Sequence, residues 1–262
     1  MLRVTSTLKG TPIEAKDGKL GSVADHLFDD HTWKIRWLVV DTGTWLPGRK
    51  VLIHPSAIRS IDEGATSLAC NLTLAQIEAS PGITDDEPVS LQMENHLYDY
   101  YGWNPMWGAS MFGGGAIAVP LSSPPYFGGI GQGEAATAMI DDMAEREASR
   151  DADPNLRSVA ELTGYDIEAS DGAIGHVQDF LVDDAAWEIR YLIVDTRNWW
   201  PGKHVLVSPF AVREIRYANH DVRLDVTRDK VKGSPAWDPV DDLDLSYERR
   251  LHEHYGWPGY GF

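Results

Sequence analysis

Residues Lys34 to Val40 begin with polar and apolar positions in alternation and end apolar on both faces, and Glu188 to Val194 repeat that pattern. Such runs predict strands covered on both sides. Leu20 to Phe28 reads as the preceding strand. The acidic pairs Asp29-Asp30 and Asp183-Asp184 fall where the chain must turn, a place where Asp tolerates unusual backbone angles and bonds locally. Short apolar runs follow at Val51 to Ile53 and Val205 to Val207, and again near Leu68 to Leu72 and Val222 to Val226. Five or six short strands in about 80 residues predict a small β-barrel or barrel-like sheet. Beyond them, Met93, Leu97 and Tyr101 recur at fourfold spacing, as do Tyr247, Leu251 and Tyr255, which predicts a C-terminal helix with one apolar stripe after each barrel.

The pattern occurs twice because the sequence does. At an offset of 154, Gly21 to Ile61 aligns with Gly175 to Ile215 without a gap, and 22 of the 41 positions are identical. The register continues to Tyr101-Gly102-Trp103 and Tyr255-Gly256-Trp257. The chain therefore divides into repeat 1 (residues 1–107), a Gly/Pro-rich linker (108–154) and repeat 2 (155–262). Within the linker, residues 134–150 are rich in helix formers and predict a short helix. The fold class expected is mainly β: two tandem small barrels, each followed by a short helix and related by a pseudo-twofold axis.

Composition narrows the function. The 262 residues carry 23 Lys and Arg against 40 Asp and Glu, a net charge of −17, and none of the three regions is basic. A negative field disfavours nonspecific attachment to nucleic acid or anionic lipid, since both require phosphate to be neutralised. No stretch approaches the roughly 18 apolar residues of a membrane span, so a cytoplasmic protein without membrane contact is expected. Cys70 is the single cysteine and is replaced by Leu224 in repeat 2, as expected of a small buried apolar position.

The recurring runs, Asp-Gly-x-[Leu/Ile]-Gly-x-Val-x-Asp, then Asp-Asp-x-x-Trp-x-Ile-Arg-x-Leu-[Val/Ile]-Val-Asp-Thr, then Trp-x-Pro-Gly-[Arg/Lys]-x-Val-Leu, resemble the PRC-barrel family over residues 8–81 and 162–235. That family includes the cytoplasmic barrel of the photosynthetic reaction centre H subunit and the C-terminal barrel of a bacterial ribosome maturation factor. Stand-alone bacterial members are the nearer comparison, since neither a membrane helix nor the maturation factor's companion domain is recognisable here. The resemblance implies a non-catalytic barrel that binds or assembles other macromolecules.

Duplication also tests candidate chemistry, because a site kept in both copies shows its residues twice. No histidine recurs: His26 faces Phe180, His54 faces Ser208 and His252 faces Tyr98. His252 and His254 stand two residues apart on a predicted helix, pointing about 200° from each other, which does not suit a shared metal. Asp25, Asp29, Asp30 and Asp41 do recur, as Asp179, Asp183, Asp184 and Asp195. They could hold a cation or work as acid and base, giving a carboxylate-based metal-binding protein or enzyme as one alternative. The simpler reading pairs them with turns and with the repeated Arg36/Arg190 and Arg59/Arg213. A second alternative is an RNA- or ribosome-associated factor using the basic stretch 213–232, with Arg213, Arg216, Arg223, Arg228, Lys230 and Lys232. No catalytic set recurs, so no enzyme and no cofactor or metal is expected.

The aromatics carry the strongest interaction signal. Trp45-Leu46-Pro47 and Trp199-Trp200-Pro201 are expected at hairpin tips, where exposed Trp serves as an anchor for a protein partner. Trp37, Tyr191, Trp103 and Trp257 are the candidates for packing between the repeats, and pairing of whole chains into a homo-oligomer is compatible with the same surfaces. The expected function is a binding or adaptor module.

Overall fold

The structure is a computed structural model that describes residues 1–62, 64, 66–80, 91–103, 155–196, 204–237 and 243–260. The predicted linker, with its helix at 134–150, and the tip residues Trp199, Trp200 and Pro201 lie outside them. Repeat 1 runs β1 (Leu2–Val4), α1 (Thr5–Leu8), β2 (Pro12–Ala15), β3 (Gly18–Asp29), β4 (Ile35–Asp41), β5 (Lys50–Ile53), β6 (Ile58–Ile61), β7 (Leu68–Cys70), α2 (Leu74–Glu78) and α3 (Leu91–Tyr101). Repeat 2 follows the same order: β8 (Leu156–Ser158), α4 (Val159–Leu162), β9 (Asp166–Ala169), β10 (Gly172–Asp183), β11 (Glu188–Asp195), β12 (His204–Val207), β13 (Val212–Arg216), β14 (Asp221–Leu224), α5 (Arg228–Lys232) and α6 (Leu245–Tyr255).

Two compact units result. One combines Met1–Gly82 with Asn155–Phe262, and the other is Ile83–Pro154, which contains α3. Within α3, Leu97 and Tyr98 are buried, and the Tyr101 ring stacks on Trp103 with centroids 4.2 Å apart. The larger unit holds the sheets of both repeats.

The fold is mainly β, as the hydrophobic pattern predicts, but the sheets are not closed barrels. Each has seven strands, ordered β5-β4-β3-β2-β7-β6 and β12-β11-β10-β9-β14-β13. The ends of each path are joined by a 3-10 turn, Pro55–Ala57 or Pro209–Ala211, rather than by a ladder. A proline at the first position of the turn cannot donate to a ladder. His54 and Ser208 accept from the backbone N–H of Ser56 and Phe210, turning the chain away from the neighbouring edge.

The seventh strand of each sheet comes from the other repeat. β1 pairs antiparallel with β10, Leu2 opposite Asp183 and Val4 opposite Leu181. Reciprocally, β8 pairs with β3, Leu156 opposite Asp29 and Ser158 opposite Leu27. The recurring aspartates hold this exchange in place. Asp25 accepts from Ser158 Oγ (2.5 Å) and the Ala160 N–H (3.1 Å), while Asp179 accepts from Thr5 Oγ1 (2.5 Å) and the Ser6 N–H (3.3 Å). Asp184 accepts from Arg3 Nε at 2.6 Å, and Asp30 from Arg157 Nε at 3.2 Å.

The axis between the repeats passes through the two Asp-Asp-x-x-Trp turns. Asp29 Oδ1 accepts from the N–H groups of His31 and Thr32, and Asp183 Oδ1 from those of Ala185 and Ala186. These bonds hold Trp33 and Trp187 at φ 59° and 50°, a left-handed conformation that costs a residue with a side chain about 1–2 kcal/mol. In return, each tryptophan carbonyl faces across the axis: Ile189 N–H donates to Trp33 O (2.8 Å) and Ile35 N–H to Trp187 O (2.7 Å). Phe28 stacks on Trp33 and lies 6.4 Å from Phe180, closing the core between the repeats.

Candidate functional site

Of the four aromatics expected to pack between the repeats, Tyr191 and Trp257 belong to a cluster that Leu2 and Val4 of repeat 1 also join, whereas Trp37 and Trp103 find their ring partners within repeat 1. Trp37 is fully buried, with its ring edge-on to His54 at 5.6 Å. Tyr191 is also fully buried, in a cluster with Leu181, Ile193, Leu206, Trp237 and Leu251 of its own repeat. Repeat 1 reaches that cluster through Leu2 and Val4 of the exchanged strand. Trp257 packs against the same cluster, stacked on Tyr255 at 3.9 Å, and Trp103 stacks on Tyr101. The axis itself is filled by Phe28, Trp33, Phe180 and Trp187.

The hairpin tip of repeat 1 is tied down. The Trp45 indole N–H donates to Leu20 O at 2.5 Å, and Thr42 Oγ1 lies 2.7 Å from the carbonyls of both Leu46 and Arg49. Trp45 and Leu46 are half-buried and Pro47 is exposed.

The recurring carboxylates are engaged structurally. Besides the exchange bonds, Asp183 pairs with Arg190 at 2.8 Å, Asp29 lies 3.6 Å from Arg36, and Asp41 accepts from the Gly43 N–H. No group of three or more metal-ligating side chains is assembled among the described residues. His252 and His254 face different neighbours, His252 Nδ1 the Pro258 carbonyl (2.6 Å) and His254 Nε2 the Lys230 carbonyl (2.8 Å). In the basic stretch, Arg216 is held by Asp221 (2.6 Å) and Glu168 (3.2 Å), and Arg223 lies 3.5 Å from Glu168. Those charges are neutralised within the fold. Cys70 is buried on β7, and burial raises its thiol pKa.

A feature that duplication does not flag is a groove of about 440 Å³ at the seam between the repeats. One wall is the Asp30–Trp33 turn of repeat 1 with Glu188 and Ile189 of β11; the other is β13, preceded by Pro209 and Phe210. Tyr260 completes it, and is placed there by a chain of contacts. Tyr191 OH lies 2.9 Å from Glu248 and 2.8 Å from His252 Nε2, and His252 in turn fixes the Pro258 carbonyl. The Tyr260 hydroxyl then donates to Arg190 O (3.0 Å), the Arg190 guanidinium sits 4.0 Å over its ring, and Phe210 stacks on it at 5.3 Å. Burial pushes the Tyr260 hydroxyl up to about 12, so it stays a neutral donor near pH 7. Phe210 remains 50 % exposed, an unusual position for a large aromatic side chain on a well-packed surface.

A smaller cavity of about 190 Å³ is lined by equivalent residues of both repeats, among them Asp25 with Asp179 and Lys9 with Thr163, and by His26. His26 occupies the position that Phe180 holds in repeat 2, and it is 2 % exposed. Burial lowers its pKa to about 4, against the opposing pull of Asp25 and Asp179 and with a small push from Lys9. The folded protein therefore refuses a proton that the unfolded chain accepts below about pH 6.5. This contribution to stability is intact above pH 6.5 and is lost as pH falls toward 4. Between pH 7.5 and 5 the loss from His26 is about 2 kcal/mol. Buried His54 is lowered to about 4 as well and adds its own loss, so urea unfolding at the two pH values is expected to show a loss in the intact protein that exceeds that of His26→Phe by about 2 kcal/mol, and equal losses would contradict the assignment.

Strand order, exchanged edges and the repeated turns define a duplicated small-sheet β protein. Residues 154–231, from the start of repeat 2 to α5, match the family model of the PRC-barrel domain. The second repeat is thus similar to the PRC-barrel domain, and the first has the same strand order and 22 of 41 aligned residues in common with it. No curated protein sequence matches the chain. Among the described residues, no helix is long and apolar enough to cross a membrane.

Proposed function

We propose that the protein is a cytoplasmic, non-catalytic binding or assembly module that engages a protein partner through the seam groove. The observation that carries this reading is Phe210, held half-exposed on Tyr260 at the mouth of a groove whose walls come from both repeats. Exposed aromatics anchored on a fixed scaffold are the usual source of binding energy at interfaces, each contributing on the order of 2 kcal/mol. The duplicated aspartates support a structural rather than a chemical use, since their oxygens hold the exchanged strands and the axis turns. The PRC-barrel match supports the same broad role.

The test is capture from extract of cells that make the protein natively, comparing the intact chain with Phe210→Asp and Trp45→Ser after each is shown to melt like the parent. The expected result is at least one protein depleted about tenfold or more by Phe210→Asp and retained by Trp45→Ser, matching the loss of a single anchor. Identical captured sets for all three would remove the groove from the binding surface.

A further inference from the structure

We infer that the partner enters as an extended peptide segment, alternately apolar and basic, that adds a strand to the open edge of β13. This rests on the binding-module reading and specifies its ligand. Among the described residues β13 is the last strand of its sheet and pairs with β14 alone, so one row of its backbone N–H and C=O groups has no ladder there. Four consecutive residues, Val212 to Ile215, line the groove. The register of β13 shifts between Val212 and Glu214, so side-chain alternation is broken there, and the four residues meet the groove along the strand's open edge. An exposed edge of this kind is a template for another strand, as in peptide recognition by strand addition.

The facing wall is rigid. Asp29 fixes the turn that carries Asp30 to Trp33, and the Ile189 N–H is already bonded to Trp33 O. An entering strand therefore meets a preformed slot about 17 Å long, the span of the five residues of β13. Its apolar side chains would lie against Phe210 and Ile215. Its opposite charges are specified by Glu188 and Glu214, which share the groove lining with a single arginine, Arg213, while Glu214 also lies in the field of Arg216. The net charge of −17 steers the same class of ligand and opposes a second copy of the chain on this edge. Repeat 1 offers no equivalent: β6 is also terminal, but Ser56 and Ser60 stand where repeat 2 has Phe210 and Glu214. One peptide per chain follows.

The probe is a capped seven-residue peptide of alternating Lys and Val, titrated into the full chain by calorimetry at two salt concentrations. It is accompanied by the Glu-Val counterpart and by two Lys-Val peptides N-methylated on alternate residues in opposite registers. The expected result is 1:1 binding, weakened tenfold or more by the Glu exchange, by Glu214→Lys and by N-methylation in one register, but not in the other. Slowed amide exchange across Arg213 to Arg216 should accompany it. Equal effects of the two N-methylation registers, or no binding by the Lys-Val peptide, overturn strand addition. Protection of the β13 amides by self-association without peptide also overturns it and assigns the edge to a second copy. If the peptide fails while capture from extract still depends on Phe210, strand addition falls and the binding-module reading stands; if Phe210 has no effect there either, both fall.

Discussion

Alanine at Gly21 or Gly175 is expected to destabilise the protein by roughly 3–5 kcal/mol, enough to unfold most of it at 37 °C. Gly21 sits in β3 with φ +156° and Gly175 in β10 with φ +144°, backbone conformations that side chains rarely adopt. The larger cost is spatial. A Cβ at Gly21 would fall inside the contact distance of the Asp41 carbonyl oxygen and 2.9 Å from its carbon, and one at Gly175 would meet Asp195 in the same way. Both obstacles are backbone atoms of the neighbouring strand, so β4 or β11 must move bodily to make room. These strands are the most buried in each sheet and carry the core side chains Leu38, Val40, Leu192 and Val194. Gly43→Ala is the control: its φ is +63° but nothing lies within 4 Å, so it should cost about 1 kcal/mol. Chemical denaturation of the three variants decides the matter, and a loss below about 1 kcal/mol for Gly21→Ala would refute the close-approach argument.

Separating the repeats is expected to be as severe. Residues 1–107 contain the sheet path from β5 to β6 but not β8, and their own β1 loses β10. Asp25 would then be left without Ser158 and the Ala160 N–H, and Asp30 without Arg157. A half-protein in this state forfeits at least three ladder pairs and several charge-assisted bonds, on the order of 5 kcal/mol or more, which is comparable to the whole stability of a small domain. Because β3 and β10 are equivalent strands that both keep the aspartate binding the exchanged segment, Asp25 and Asp179, two copies of residues 1–107 can exchange β1 with each other. The expected outcome in sedimentation is no folded monomer for either half, but a homodimer, or a heterodimer when the halves are mixed. A monomeric half that unfolds cooperatively with undiminished stability would show that the exchange contributes little.

Much of this architecture was legible in the sequence, and the missing parts have physical causes. The strands of each sheet were readable because a buried strand imprints its apolar run. The turn role of Asp29 and Asp183, and their pairing with Arg36 and Arg190, followed from residue type and recurrence. The exchange did not, since three-residue strands such as Leu2–Val4 carry no periodicity that says which β3-like strand they join. The one signal was the recurrence of Arg3 as Arg157 alongside Asp30 and Asp184, four charges that make sense together only across the repeats. Trp33 and Trp187 belong to the recurring Asp-Asp-x-x-Trp run, but nothing in local propensity puts tryptophan at positive φ, so the run does not place them at the axis. The groove escaped for a different reason. Searching for what both copies keep cannot find Phe210, whose significance is that repeat 1 has Ser56 there.

The reciprocal strand exchange also sets an order of events during synthesis. When β3 and β4 leave the ribosome, the edge that will receive Leu156–Ser158 has no partner, and β1 has no β10 to join. At roughly 5–20 residues per second, that edge stays open for several seconds before β8 is made. For that interval the nascent chain displays the unpaired edge of β3 at Leu27 to Asp29, so its neighbours on a polysome, carrying the same β1, are its most available wrong partners. The interval ends when the second repeat is complete, which ties the solubility of the newborn first half to the speed at which the second is translated.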